Sequence, residues 1–398
     1  MKNQITIIAL IIISLSGFSQ SIDQLGFYPY NGIMGLSSID NFMILSNGQI
    51  VDNSTPSNPT LVSQYSFNGD GITVLIEDGF SYFGTGMTND LFIADISNIN
   101  FPLHQSWIDF TIGHGVFGMD IIDNTLFVAL GNNGLICSID VTDKSNPIML
   151  DTLYISGGSC RDIVVENDFA FASHSGGLKI IDISNPSDMQ LITSTGSGYN
   201  SIDIGDNLVF LGKSSGGIDV FDITDPTNPV PEFSIANSTG TAWDIKYSDN
   251  LIYLATNSFG LFIYEIQGNT GVEMASFYAQ SQTFGVCLQD TLVLLPNLVT
   301  GVSLLRYNSS GTVSIKPVPN KNQIKIYPNP AKEFITIKKG DLDIKLFEIY
   351  DLKGELVLKQ YKDVNERKID ISGLANGQYF IRFKTNNGVI TEIFNKTE

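Results

Sequence analysis

Between residues 30 and 310 a single pattern returns every 40–45 residues, and it leaves few folds open. The pattern is an apolar strand, Asp or Asn, a second apolar strand, a turn containing Gly, a third strand closing on Asp, and Ser/Thr-Asn/Asp-Pro; four central copies match it well, the first is irregular, and the last two lose the Asp and the Asn-Pro turn. The clearest copy runs Asp162-Ile163-Val164-Val165, Phe169-Ala170-Phe171-Ala172, Gly177-Leu178-Lys179-Ile180-Ile181-Asp182 and Ile183-Ser184-Asn185-Pro186. The next runs Ile202-Asp203-Ile204, Leu208-Val209-Phe210-Leu211, Gly217-Ile218-Asp219-Val220-Phe221-Asp222 and Ile223-Thr224-Asp225-Pro226. The residue closing the third strand is Asp52, Asp95, Asp140, Asp182, Asp222, Glu265 and Arg306 in turn, which counts seven units.

A period of this length with about four strands per unit belongs to the blades of a β-propeller. The second strands agree: Leu126-Phe127-Val128-Ala129-Leu130 and Leu251-Ile252-Tyr253-Leu254-Ala255 are apolar throughout rather than at alternate positions. A sheet held between two neighbours buries both faces, whereas a sheet with one wet face alternates. Helical solenoids of similar period need amphipathic helices, which the β-branched runs and turn glycines exclude. The expected fold is therefore all-β, with a seven-bladed β-propeller over residues 21–310. The segment Leu25-Gly26-Phe27-Tyr28-Pro29-Tyr30 offers the strand missing from the final unit, so the ring can close without a covalent link.

The two ends read differently. Lys2 precedes an uncharged apolar run from Ile5 to Leu15, then Gly17-Phe18-Ser19-Gln20. A cation, a short apolar core and small residues make a secretory signal peptide over 1–20; the run is too short to span ~30 Å of hydrocarbon comfortably. No later segment is suited to a transmembrane helix, so none is expected in the mature chain. A polar stretch with Gly and Pro over 311–323 reads as a linker. Residues 324–398 then show short alternating strands that suit a small antiparallel β-sandwich. Charge supports separate parts joined in series: the whole chain carries −19, but residues 321–398 carry +3 and residues 21–320 carry −23. That sign excludes a nucleic-acid binder.

The copies containing Leu178-Lys179-Ile180-Ile181-Asp182-Ile183-Ser184-Asn185-Pro186, Ile218-Asp219-Val220-Phe221-Asp222-Ile223-Thr224-Asp225-Pro226 and Ile139-Asp140-Val141-Thr142-Asp143-Lys144-Ser145-Asn146-Pro147 resemble the LVIVD repeat. This is a β-propeller family of exported bacterial proteins with no agreed activity. The tail resembles the type A C-terminal sorting domain of the type IX secretion system. The carriers are Tyr327-Pro328-Asn329-Pro330-Ala331, Ile349-Tyr350-Asp351-Leu352-Lys353-Gly354, and Ile369-Asp370-Ile371-Ser372-Gly373-Leu374-Ala375-Asn376-Gly377-Gln378-Tyr379-Phe380-Ile381, in the family's order and spacing. This second resemblance implies a Bacteroidota source, recognition by the type IX machinery, removal of the tag, and release or attachment at the outer-membrane surface. Its sorting signal maps to Tyr327, Pro328, Asn329, Pro330, Gly354, Gly377 and Tyr379.

Catalytic motifs do not survive their context. Gly113-His114-Gly115-Val116-Phe117-Gly118 fits GxGxxG, but Met119-Asp120-Ile121-Ile122 begins a strand where a dinucleotide site needs a helix. Gly212-Lys213-Ser214-Ser215-Gly216 fits GxSxG but sits between two repeat strands rather than before a helix. His104, His114 and His174 lie in three different units without metal-ligand spacing. The repeated strand-end Asp residues suit turns rather than an ion, because each can accept N–H bonds before the Pro. No cofactor is expected, and calcium has no motif behind it. Cys137, Cys160 and Cys287 leave two readings: a Cys137–Cys160 bridge between adjacent units, or small buried side chains, the reading favoured here.

One candidate site remains. The loop entering each innermost strand lies beside the axis of such a ring, and equal counting places Phe117, Cys160/Arg161, Tyr199/Asn200, Trp243 and Phe284 in one column. The turns after the second strands, with Asn132, Asn133, His174, Lys213 and Phe259, are expected around the same face. Phe117, Arg161, Tyr199, Trp243, Phe284 and His174 form the expected ligand-binding rim. The functional expectation is an exported, non-catalytic propeller binding a surface protein or glycan. An extracellular glycoside hydrolase or lyase with rim carboxylates and a structural surface component are the alternatives.

Overall fold

The computed structural model describes residues 20–86, 90–110, 115–131, 134–236, 240–279, 281–308, 325–338, 344–351, 356–361, 368–385 and 388–397. All but the last residue of the signal-peptide segment, and the whole 311–323 linker, lie outside them. The chain divides into two compact units, up to Gly311 and from Thr312 onward.

The first unit holds seven four-stranded antiparallel sheets among the described residues. Six are consecutive in sequence: sheet one spans 36–64, sheet two 71–109, sheet three 116–154, sheet four 160–195, sheet five 199–235 and sheet six 242–277. Sheet seven combines Cys287–Gln289, Leu292–Asn297 and Gly301–Asn308 with an outer strand, Ser21–Pro29, taken from the far end of the unit. That strand runs antiparallel to Gly301–Asn308, pairing Ser21 with Asn308 and Pro29 with Gly301.

Local sequence explains the hairpins. The turn from first to second strand carries two residues of positive φ at Asp123-Asn124 (49° and 61°), Asp206-Asn207 and Asp249-Asn250. Asp and Asn tolerate the left-handed region and give the tight turn whose twist matches the strands.

The second strands show why the apolar runs lack alternation. Leu126, Val128 and Leu130 enter the core shared with sheet two, while Phe127 and Ala129 enter the core shared with sheet four. Seven such cores join successive sheets, and the last places Tyr28, Leu294, Val302 and Leu304 of sheet seven against Met43, Leu45 and Val51 of sheet one. The series returns to its start, so no sheet is left with a bare face. Near the axis the innermost strands approach closely: a Cβ on Gly118 would lie 2.5 Å from Asp162 Cα.

The second unit has a three-stranded sheet (Lys325–Tyr327, Phe334–Lys338, Lys368–Asp370) and a four-stranded one (Ile344–Tyr350, Leu356–Tyr361, Gly377–Thr385, Gly388–Lys396). One core built on Ile335, Ile337, Phe347, Ile349, Ile381, Phe383 and Phe394 serves both. Among the described residues no helix is long and apolar enough to cross a membrane.

Candidate functional site

Near its start, each innermost strand of sheets two to six breaks register by one residue, between Gly71/Thr73, Val116/Gly118, Cys160/Asp162, Tyr199/Ser201 and Ala242/Asp244. A bulge leaves one residue unpaired and re-aims its side chain. Here the skipped residues are Ile72, Phe117, Arg161, Asn200 and Trp243. All five line one cavity of about 350 Å³, together with Phe284 from the corresponding loop of sheet seven.

Four of the residues selected from sequence therefore meet in this cavity: Phe117, Arg161, Trp243 and Phe284. Tyr199 does not. It is 1% exposed and packs with Leu178, Ile180 and Ile202 in the core between sheets four and five, where its hydroxyl donates to Asp219 Oδ2 at 2.9 Å. Val116, Cys160 and Ala242 occupy the equivalent paired position and are also buried; the bulged neighbour Asn200 takes the axial place.

His174 is displaced as well. It is fully buried as the last residue of the second strand of sheet four, and its Nδ1 accepts the N–H of Gly176 in the turn that follows at 2.8 Å. Burial, followed by the nearby Lys179 charge, lowers its pKa. These turns hold the entry loops, as where the Ser175 N–H donates to Ser159 O, but stand one step further from the axis. Lys213 pairs with Asp219 at 2.8 Å, and Phe259 is exposed against Tyr278. Asn132, Asn133 and His114 lie outside the described residues.

One of the cavity's two cations, Arg161, is held by rings. The Arg161 guanidinium sits 4.9 Å from the Phe117 ring centroid and 5.5 Å from that of Trp243, which meets Phe284 edge-on at 4.9 Å. Contacts of this kind contribute about 0.5–2 kcal/mol each. Burial lowers the Arg161 pKa, yet arginine stays charged in proteins. Among the described residues no carboxylate lies within ion-pair distance of it.

Deeper in the cavity lie Asp162, Asp244 and Lys246. These Asp residues belong to a recurring cross-link between sheets. Asp120 Oδ2 accepts the N–H of Val165 (2.7 Å), Asp162 that of Ile202 (3.3 Å), Asp203 that of Tyr247 (2.6 Å) and Asp244 that of Val286 (2.8 Å). Each carboxylate thus ties its innermost strand to that of the next sheet. Burial raises the pKa of Asp120 and Asp244, and takes Asp162 to about 7. Burial pulls the Lys246 ammonium down, but Asp203, Asp244 and Asp162 outweigh it and hold its pKa above the ordinary value.

The strand-end Asp residues close turns at the periphery. Asp52, Asp95, Asp140, Asp182 and Asp222 each accept the N–H of the Ser or Thr two residues on, at 2.7–2.9 Å. Among the described residues no three His, Cys, Asp or Glu gather as a metal group. Cys137, Cys160 and Cys287 are all free thiols. Cys137 faces the core between sheets two and three and Cys160 the core between three and four, so sheet three separates them and the bridge is ruled out.

In the tail unit, Asn329 latches the Tyr327–Pro330 segment to the final strand. Its Oδ1 accepts the Asn395 N–H at 2.9 Å and its Nδ2 donates to Ile393 O at 3.1 Å. Tyr379 is buried with its hydroxyl on Ala375 O at 2.8 Å, Gly377 is extended, and Tyr327 is exposed. Gly354 lies outside the described residues.

Comparison with known proteins agrees with this architecture. The family model for the secretion system C-terminal sorting domain matches residues 325–395, and that for the LVIVD repeat matches 49–66, 119–153 and 157–195. No curated protein matches in sequence. Among solved structures, the WD40 repeats of RRP9 superpose with a TM-score of 0.57 at 8% identity, covering 72% of this chain and 97% of that one. A chain of the mitotic checkpoint complex gives 0.56 at 11% identity, covering 72% and 90%. The computationally designed Ika8 protein gives 0.50 at 12%, covering 94% and 98%. At such identities the likeness concerns the fold alone. The tail marks the protein for the type IX secretion machinery, hence for secretion or attachment at the outer-membrane surface, and implies a Bacteroidota source. The chain is an LVIVD-repeat β-propeller protein ending in a type IX C-terminal sorting domain.

Proposed function

We propose that this protein is a non-catalytic binding protein delivered to the cell surface or beyond, built as a seven-bladed propeller followed by a small β-sandwich. Its ligand group enters the axial cavity and meets Arg161. The observation that carries this reading is a half-buried guanidinium clasped between Phe117 and Trp243 with no carboxylate at ion-pair distance among the described residues. A partly desolvated cation without an ion-pair partner favours an anionic group, and the planar guanidinium matches a carboxylate through two parallel hydrogen bonds. Asn200 adds an amide beside it. The partner is thus a surface protein or glycan that presents a carboxylate.

Trp243 provides the assay. Titration of the mature protein with polygalacturonate and with polyglutamate, followed by tryptophan emission, is expected to show saturable binding of at least one polymer. Arg161→Gln is expected to lose it by about tenfold or more, as for removal of one partner of a buried charge-assisted contact. Absence of binding to either polymer, or full binding by Arg161→Gln, rejects the site.

One observation favours a second reading, an extracellular hydrolase or lyase: Asp162, with its pKa near 7, lies in the same cavity as Asp244. Against it, each of these carboxylates accepts two backbone N–H groups, which uses the oxygens that acid–base chemistry needs. Loss of ligand binding in Arg161→Gln without any turnover of the polymers by wild type separates the two.

A further inference from the structure

The repeat provides its own control for exposed residues on the outer strands. In sheets one to six the third and fourth strands break register once, and the second pair beyond that break, counted along the fourth strand, can be compared across sheets. Its outer member is Gln64, Trp107, Thr152, Ser194, Ser234 and Ser276 in order. Five are polar, and three of these bond across to their inner partners: Thr152 to Cys137, Ser194 to Lys179 and Ser234 to Asp219. The fold therefore has no need of an aromatic here. Sheet two alone carries one, and Trp107 is 54% exposed. A large apolar ring kept in water on a strand that tolerates Ser is a recognition feature rather than a packing one.

Its surroundings define what it recognises. Trp107 stacks on Phe92 (6.4 Å, 22°), which stacks on Phe67 (5.1 Å, 29°). Beside them Tyr65 Oη and His104 Nδ1 share a hydrogen bond of 2.6 Å. Burial pushes the Tyr65 pKa up to about 12, so the phenol keeps its proton. With Ser66 and Asn68 these residues line an open cleft of about 510 Å³. No Asp, Glu, Lys or Arg is among its lining residues. The chemistry is an aromatic platform edged by imidazole, hydroxyl and amide groups, without charge.

We propose that this cleft is a second binding site, for a neutral pyranose of a polysaccharide. A pyranose has one face of C–H groups, which lies flat on an indole, and a rim of hydroxyls, each both donor and acceptor. The platform matches the face, and His104, Ser66 and Asn68 match the rim. An anionic sugar has no counter-charge here, and a flat apolar peptide surface has no use for the polar edge. The site lies on the outer strands of sheet two and the segment 65–68 that leads into that sheet, shares no lining residue with the axial cavity, and does not depend on that cavity's ligand.

The test is native electrophoresis of the mature protein through gels cast with dextran, yeast mannan or barley β-glucan. Retardation is expected in at least one gel, with affinity lowered about tenfold or more in Trp107→Ala, as for the loss of an aromatic anchor. Trp107→Phe is expected to retain part of it, and Arg161→Gln to be retarded like wild type. Trp107 is exposed, so its replacement leaves the core intact, and an unchanged unfolding midpoint verifies this. Migration unaffected by all three polymers overturns the proposal. So does equal retardation of Trp107→Ala, or a patch that captures a protein but no polysaccharide.

Discussion

The pKa of Asp162 makes a quantitative claim about stability. Its carboxylate accepts backbone N–H groups from Ile163 at 2.9 Å and, across the sheet boundary, from Ile202 at 3.3 Å. Burial nevertheless raises its pKa from 3.8 to about 7, against the pull of Lys246. The folded protein therefore holds this proton more tightly than the unfolded chain. The stability Asp162 contributes is complete below pH 3.8 and is lost as the pH climbs through 7. About three pH units at about 1.36 kcal/mol each give up to about 4 kcal/mol. The turn carboxylates Asp52, Asp95, Asp140 and Asp182 have pKa values lowered by their Ser and Thr partners, so they act below this window. His174, lowered by burial, acts with the opposite sign, its contribution being lost as the pH falls below 6.5 toward its lowered pKa in the folded protein. Comparison with Asp162→Asn cancels it, because the amide keeps the shape and one accepting oxygen but cannot titrate. Urea unfolding of wild type and variant between about pH 4 and pH 8 is the assay. The stability difference, wild type minus variant, is expected to fall by up to about 4 kcal/mol from pH 4 to pH 7 and then level off. A difference that stays flat across this range refutes the argument.

Three further outcomes follow from the geometry. Deleting Ser21–Pro29 strips sheet seven of its outer strand and uncovers the Gly301–Asn308 edge; limited proteolysis is expected to cut the first unit at concentrations that leave the mature protein whole, and equal resistance counts against strand-based closure. Asn329→Ala removes both bonds to the last strand and is expected to destabilise the isolated tail unit by about 1–2 kcal/mol in thermal unfolding, with an unchanged midpoint contradicting the latch. Burial raises the pKa of Cys137 to about 11 and of Cys160 to about 12; iodoacetamide at pH 8 is expected to spare both in the native protein and to label three thiols after denaturation, whereas fewer than three would reveal a disulfide.

The candidate site was legible in part, and its errors have a physical source. Counting back from each second strand found Phe117, Arg161 and Trp243 because the bulge falls at the same place in successive sheets, and Phe284 from the corresponding loop of sheet seven. At Tyr199/Asn200 the same count selected the aromatic, although the bulged amide is the one that reaches the axis. A bulge shifts the alternation by one, so side-chain chemistry is a poor guide to which neighbour turns inward. His174 was misjudged because a turn on the right face can still lie outside the ring of entry loops. Trp107 carried no sequence signal of its own; only the aligned register across six sheets shows that its position is otherwise polar.

Periodicity by itself determined that this chain is a ring of stacked sheets, because strands apolar on both sides have to be covered on both sides. The tail motifs likewise determined its route out of the cell. Tertiary structure alone decided which carboxylate meets which N–H some 40–45 residues away, and which cation remains without a counter-charge. Those facts depend on distances between sheets that are set only once the sheets have stacked, and a linear pattern contains no such distances.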